Sequence, residues 1–189
     1  KVWKSTDGAA WSEVTGVTFT LGEQCYFMQI AGYLYIANGT DNLARYNGTT
    51  LSTYNAISAP VNLAASRTGL ASGTYVMYGE VTALNEVGET VGSTEASITL
   101  NRARNTWTAS DSLTWTCSAV ATATAYQWYF SEVKGQEYLL GSSEVPSFVD
   151  DGTIPFNPYI VPPLGNTTAG PKFKSMTVSG NRIWATNDP

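Results

Sequence analysis

An all-β fold is predicted by three observations. Leu, Glu, Lys and Arg nowhere form the i, i+3, i+4, i+7 stripe of an amphipathic helix. Apolar and polar residues instead alternate over short runs, and Gly, Asn, Ser and Thr punctuate those runs where tight turns would fall. Charged residues make up only 13% of the 189, about half the usual share in a soluble domain. Aromatic residues reach 12%, which suits twisted sheets joined by short turns.

The same composition narrows function. Histidine is absent, which removes Ser-His-Asp, Cys-His and His-metal chemistry and leaves only carboxylate-based catalysis. A net charge of -5 with scattered Lys and Arg offers no basic stripe for phosphates, so no nucleic-acid partner is expected. The longest apolar run falls far short of the roughly 20 residues of a spanning helix, so no membrane partner is expected. Cys25 and Cys117 are far apart in sequence and read as buried free thiols, small hydrophobes rather than a disulfide framework. The sequons at Asn38, Asn47 and Asn166 permit glycosylation, but Asn-Gly at 38-39 and 47-48 reads first as a hairpin turn.

Along the chain, Val2-Trp3-Lys4-Ser5-Thr6-Asp7, Leu34-Tyr35-Ile36-Ala37-Asn38-Gly39 and Ile183-Trp184-Ala185-Thr186-Asn187-Asp188 share one pattern. Each has an aliphatic residue, an aromatic one, then small polar residues entering a turn. The latter two follow a glycine behind an apolar stretch, so strand, tight turn and strand recur. Such hairpins build β-propeller blades, whose strands repeat at roughly 40-residue intervals. The third copy lies too far from the second for a neighbouring blade, which implies an insertion.

The insertion runs from 58 to 152, the size of one immunoglobulin-like sandwich. Tyr75, Met77, Gly79, Val81 and Ala83 share one face of a strand that ends at Asn85, and a turn through 86-90 leads to a strand at 96-100. Leu113, Trp115 and Cys117 form a second apolar face, and Tyr126, Trp128 and Phe130 a third. A stretch with Pro155, Pro158, Pro162 and Pro163 then reads as an extended connector, because proline donates nothing to a ladder. The expected organisation is propeller-like hairpins at 1-57, the sandwich at 58-152, the connector at 153-165 and a further propeller-like hairpin at 166-189.

Tyr-x-Met-x-Gly-x-Val-x-Ala-x-Asn at 75-85, followed by Gly88-Glu89-Thr90, resembles the penultimate strand and following turn of fibronectin type III modules. Leu113-Thr114-Trp115 resembles their tryptophan-bearing second strand, Ala125-Tyr126-Gln127-Trp128-Tyr129 their third, and Ser147-Phe148-Val149-Asp150 the strand closing the lower sheet. Ala59-Pro60-Val61-Asn62-Leu63 looks like the first. The order departs from the family, since the tryptophan strand follows the 75-85 run instead of preceding it; a permuted sandwich would bury the same faces. Rearranged modules of this kind among aromatic-rich repeats resemble those of bacteriophage tail and other virion proteins.

Ser5-Thr6-Asp7-Gly8-Ala9-Ala10-Trp11 resembles a compact Asp-box of sialidase-type propellers. The resemblance implies a structural turn, with Asp7 accepting backbone N-H groups beside Ser5 and Gly8 and with Trp11 packed beneath. A glycosidase would need paired carboxylates, and a sialidase also an arginine cluster; the arginines at 45, 67, 102 and 104 form no such pattern. Asp150-Asp151-Gly152, with Asp111 and Glu144 elsewhere, has oxygen ligands but no calcium-loop spacing and reads as a solvated loop. Arg102 and Arg104 read as loop solubility or as a weak contact to an acidic partner. Trp107, in a polar stretch without alternation, is the candidate for a sugar platform, although a turn tryptophan packed on its own sandwich is the simpler account.

These readings predict a non-enzymatic chain with no catalytic, cofactor-binding or metal residues. The expected role is structural, in a phage tail, with other copies of the chain in a homo-oligomeric ring and neighbouring virion proteins as partners and a host-surface glycan as a further one. The alternatives are an extracellular carbohydrate-binding or adhesion module and a fragment of a sialidase-like glycoside hydrolase. The start at Lys1 directly in a strand pattern, and the end at Pro189 directly after one, lead to the expectation of a piece of a longer polypeptide. Open edges in the propeller-like part should then be covered by neighbouring polypeptide.

Overall fold

The computed structural model of the chain describes residues 1-180 and 182-186. Its strands are β1 Val2–Lys4, β2 Ser12–Val14, β3 Tyr26–Ile30, β4 Tyr33–Ala37, β5 Ala44–Tyr46, β6 Leu51–Thr53, β7 Ala64–Thr68, β8 Tyr75–Leu84, β9 Ala96–Leu100, β10 Ser112–Thr116, β11 Ala125–Ser131, β12 Tyr138–Ser143, β13 Ser147–Asp150, β14 Ser175–Ser179 and β15 Arg182–Thr186. Among the described residues the helical element is one 3-10 turn, Arg104–Thr106. The fold is all-β, in antiparallel sheets. The chain forms two compact units, Lys1–Asn55 with Ala169–Pro189, and Ala56–Thr168.

In the first unit β3 to β6 form a four-stranded meander, while β1-β2 and β14-β15 are separate two-stranded sheets. One turn device recurs. Asn47 Oδ1 accepts the amides of Thr49 and Thr50 between β5 and β6, and Asn38 Oδ1 those of Thr40 and Asp41 between β4 and β5. Asp7 Oδ1 likewise accepts those of Ala9 and Ala10 between β1 and β2. A glycine follows each, with φ of 78° at Gly8 and Gly39 and 94° at Gly48, a region glycine enters without the Cβ penalty. Ile36, Ala44 and Leu51 of the meander bury against Val14 and Phe19, with Val2, Val17 and Cys25 around them.

The second unit is a β-sandwich-like pair of sheets, one ordered β12-β11-β8-β9 and the other β13-β10-β7. The alternation at 75-83, 113-117 and 126-130 places Met77, Val81, Ala83, Leu113, Trp115, Tyr126, Trp128 and Phe130 in one buried cluster. Trp115 stacks on Phe130 with centroids 4.7 Å apart, and Trp128 lies 6.0 Å from Phe148. Room for these rings comes from the backbone: a Cβ on Gly79 would sit 2.7 Å from Phe130 Cδ1, and one on Gly141 2.8 Å from Phe148 Cε2. A register shift between Trp128 and Tyr129 is a bulge of the kind that re-aims side chains, and both residues are buried.

Two segments differ from the sequence reading. The first strand of the sandwich is Ala64–Thr68 and not 59-63, because Asn62 turns the chain at φ 58° and bonds Ser118; only beyond it does the backbone pair with β10. Residues 153-168 are extended, yet they belong to the second unit. The Asn157 amide donates to the Leu139 carbonyl and the Leu139 amide to the Ile160 carbonyl, Thr167 bonds Glu89, and Asn166 and Thr168 bond Ile57.

Candidate functional site

Arg104 lies on the 3-10 turn between β9 and β10, and its side chain is only 8% exposed. Its Nε donates to Asp150 Oδ2 at 2.8 Å and its Nη2 to Asp150 Oδ1 at 2.6 Å, a bidentate fork. Nη2 also donates to the Ile154 carbonyl at 2.7 Å, and the guanidinium sits 4.7 Å from the Phe156 ring centroid. The expectation that Arg104 is a soluble loop residue or a partner contact is therefore corrected: its donors are engaged inside the sandwich. Asp150, read as part of a solvated loop, is buried for the same reason.

Arg102 is the more accessible of the two, but its Nη2 donates to the Gly69 carbonyl at 3.2 Å and to Asp111 Oδ1 at 3.1 Å. Asp111 in turn accepts the Thr108 amide at 2.7 Å, which with the Thr108 hydroxyl and Arg102 holds its carboxyl below the usual range against the opposing effect of burial. Trp107 is half-buried and packs on the sandwich core. A Cβ on Gly152 would lie 3.1 Å from its Cε3. Arg104 and Trp107 thus fasten the 101-111 loop to the 150-156 loop, while Arg102 ties it to the Gly69 carbonyl.

The Ser5-Trp11 turn has the hydrogen bonding that the Asp-box resemblance implies. Asp7 accepts the Ala9 and Ala10 amides at 2.9 and 3.0 Å and the Ser5 hydroxyl at 3.1 Å, while Ser5 Oγ accepts the Gly8 amide. These bonds, led by that from Ala10, hold the Asp7 carboxyl below its ordinary range. The tryptophan departs from the resemblance, since Trp11 is 62% exposed. With its carboxylate engaged in the turn, Asp7 shapes the hairpin.

Two features carried no sequence signal. Glu80 on β8, Glu95 before β9 and Glu137 before β12 converge, with the Gly135 amide donating to Glu95 Oε2 at 3.0 Å and to Glu137 Oε1 at 3.3 Å. Glu137 is 5% exposed; burial, then the neighbouring carboxyls, push it up to about 7. Burial, then Glu95, raises Glu80. Glu80 and Glu137 border a groove walled by Tyr138, Val161, Pro162 and Leu164. Among the described residues no group of three or more acidic or cysteine side chains is arranged to hold a metal. On the same sheet face as Glu80, its cross-strand partner, Tyr129 donates to Glu89 Oε1 at 2.6 Å and Thr82 to the same oxygen at 2.5 Å; burial, then Glu89, raises the phenol.

The thiols of Cys25 and Cys117 are free and half-buried. Burial raises both, Cys117 to about 11. Neither is therefore poised as a nucleophile, because the thiolate is the reactive form. Among the described residues no helix is long and apolar enough to cross a membrane.

Large apolar side chains are accessible in both units: Tyr159 and Leu164 stand open in the second, and the exposed tryptophans are in the first. Trp3 on β1 is 52% exposed and Trp184 on β15 57%, and Phe27, Leu21 and Val178 are also exposed. Beyond their own partners, β1, β2, β14 and β15 pair with no other strand among the described residues. Compared with protein-family models and with curated proteins, the chain matches none.

Proposed function

We propose that the chain is a non-enzymatic structural component of a bacteriophage virion, a tail protein of the nozzle, tube or hub type, making contacts with further copies of itself and with neighbouring virion proteins. The observation that carries this reading is the first unit, whose two-stranded sheets keep unpaired edges beside exposed tryptophans. An isolated hairpin is marginal in water, and open edges are ordinarily covered.

The strand pairing supports a fibronectin type III-like module with altered order. The run resembling its second strand, β10, pairs with β13, which resembles the strand closing the lower sheet. The run resembling the third, β11, pairs with β8, which resembles the penultimate strand. Second beside fifth and third beside sixth are the neighbours of an immunoglobulin-like sandwich. A four-stranded antiparallel meander, the form of one propeller blade, with a hairpin sheet before it and another after it in sequence, supports the propeller-like part. The engagement of Asp7, Asp111 and Asp150 in internal hydrogen bonds supports the non-enzymatic part, and the virion assignment rests on the resemblance of rearranged modules among aromatic-rich repeats.

Gold-labelled antibody against the chain, imaged by electron microscopy on phage particles, tests the proposal. Label at one axial position on every tail is the expected result. Label on the host surface or in the culture fluid, with unlabelled particles, would sink it and favour the extracellular alternative.

A further inference from the structure

The complete four-stranded sheet is a template for what the two hairpins lack. In it, the β3-β4 hairpin closes through Ala31-Gly32 with Ile30 opposite Tyr33. The β5-β6 hairpin then adds along β4 with Leu34 opposite Tyr46, Tyr35 opposite Arg45 and Ile36 opposite Ala44. The β14-β15 hairpin has the form of the first: its last pair is Ser179 with Arg182, so Trp184, opposite Thr177, takes the position of Tyr35, opposite Met28. The β1-β2 hairpin, like the second, turns through an Asx-Gly pair, in a loop over 5-11 where the second has 47-50, and the two are aligned on their last paired residues. Its last pair, Lys4 with Ser12, matches Tyr46 with Leu51, which puts Trp3 where Arg45 stands.

We propose that two copies of this chain complete a four-stranded sheet between them, β1 of one copy adding antiparallel to the free edge of β15 in the next with Trp3 opposite Trp184. This rests on the assembly reading given under Proposed function. Two tryptophans, each more than half exposed in a single copy, become a cross-strand pair, and such pairs are the stabilising unit of a sheet. The diagonal beside them is complementary too. In the template the Arg45 guanidinium on β5 lies 5.5 Å from the Tyr33 ring on β4. Between copies Arg182 takes the place of Tyr33 and Trp3 that of Arg45, so cation and aromatic keep the same diagonal with their strands exchanged. Val2 and Ala185 fall opposite each other on the other face. Because β1 meets β15 rather than itself, the contact is head to tail and propagates into a ring or a filament.

Site-directed crosslinking of the full chain tests this. Trp3→Cys and Trp184→Cys are prepared separately, mixed and mildly oxidised; directly opposed strand positions lie within disulfide reach. An intermolecular disulfide in the mixture and in neither preparation alone is expected. Equal crosslinking of either single variant with itself would overturn the proposal. A Thr177→Cys/Trp184→Cys variant, whose positions are partners within one copy, reports by its intrachain disulfide that the hairpin is formed. With that control positive and the wild-type chain oligomeric by sedimentation, a missing crosslink overturns this inference and leaves the assembly reading standing. A wild-type chain that stays monomeric at high micromolar concentration and does not crosslink overturns both.

Discussion

The six tryptophans divide evenly between the two units. In the sandwich, Trp115 and Trp128 are fully buried and Trp107 packs at the edge of the same core, whereas Trp3, Trp11 and Trp184 of the other unit are each more than half exposed. The polar groups divide similarly. Arg104 and Asp150 are satisfied inside the sandwich, while the ion pair of Lys1 with Glu13 on the β1-β2 hairpin is open to solvent. The sandwich takes its tryptophans into its own core, whereas the other unit carries all three on its two-stranded hairpins, although the sandwich too leaves Tyr159 and Leu164 in solvent.

Four substitutions break or sharpen that contrast. The largest effect is expected from Arg104→Met, which leaves Asp150 buried without its cation: removing one partner of such a pair costs about 3–5 kcal/mol. Urea unfolding should show this loss in the sandwich transition, and amide exchange in β14 and β15 should not change. Gly79→Ala drives a methyl into Phe130 and Trp115 and should cost about 1–3 kcal/mol in the same transition; unaltered stability would mean that the rings can move aside.

Glu137→Gln comes next and depends on pH. A carboxyl whose folded pKa is raised above its unfolded value contributes stability that is fully present below the unfolded value, near 4.5, and is lost as pH rises through the folded value, near 7. The wild-type sandwich should therefore weaken between those values. At pH 8 the glutamine variant should be more stable by about 1–2 kcal/mol, a figure that allows for solvent screening at the open side of the cluster, and at pH 4 the two should melt together. The smallest effect belongs to Asp7→Ala, which should speed exchange of the Ala9 and Ala10 amides by nuclear magnetic resonance while the sandwich midpoint stays fixed.

Much of this fold is legible in the sequence because period-two burial is a local signal. Met77, Val81 and Ala83 alternate with half-buried or polar neighbours, and the alternation alone assigns their face; the Asn-Gly pairs likewise mark their own turns. Groups that meet only in three dimensions leave no such trace. Arg104 and Asp150 are far apart in the chain, so the charge reads as solvated until the loops are brought together. Glu80, Glu95 and Glu137 each look like ordinary surface acids for the same reason. The prolines of 153-165 correctly exclude a central strand, but not the side chain and backbone bonds by which an extended segment packs. Trp11 shows the converse, where a familiar spacing gives the turn without the burial.

The turn shared by Asp7, Asn38 and Asn47 bears on the chemical ageing of the molecule. Asn-Gly pairs are the places where a chain loses side-chain amide nitrogen most readily, and Asn47 is exposed. Deamidation there would leave an aspartate, and Asp7 already shows an aspartate accepting the same two amides at nearly the same distances. The direct product is thus structurally silent. The isoaspartate product, with an extra methylene in the backbone, would shift the β5-β6 register instead, so that edge is lost only at the rate of deamidation times the share that ends as isoaspartate.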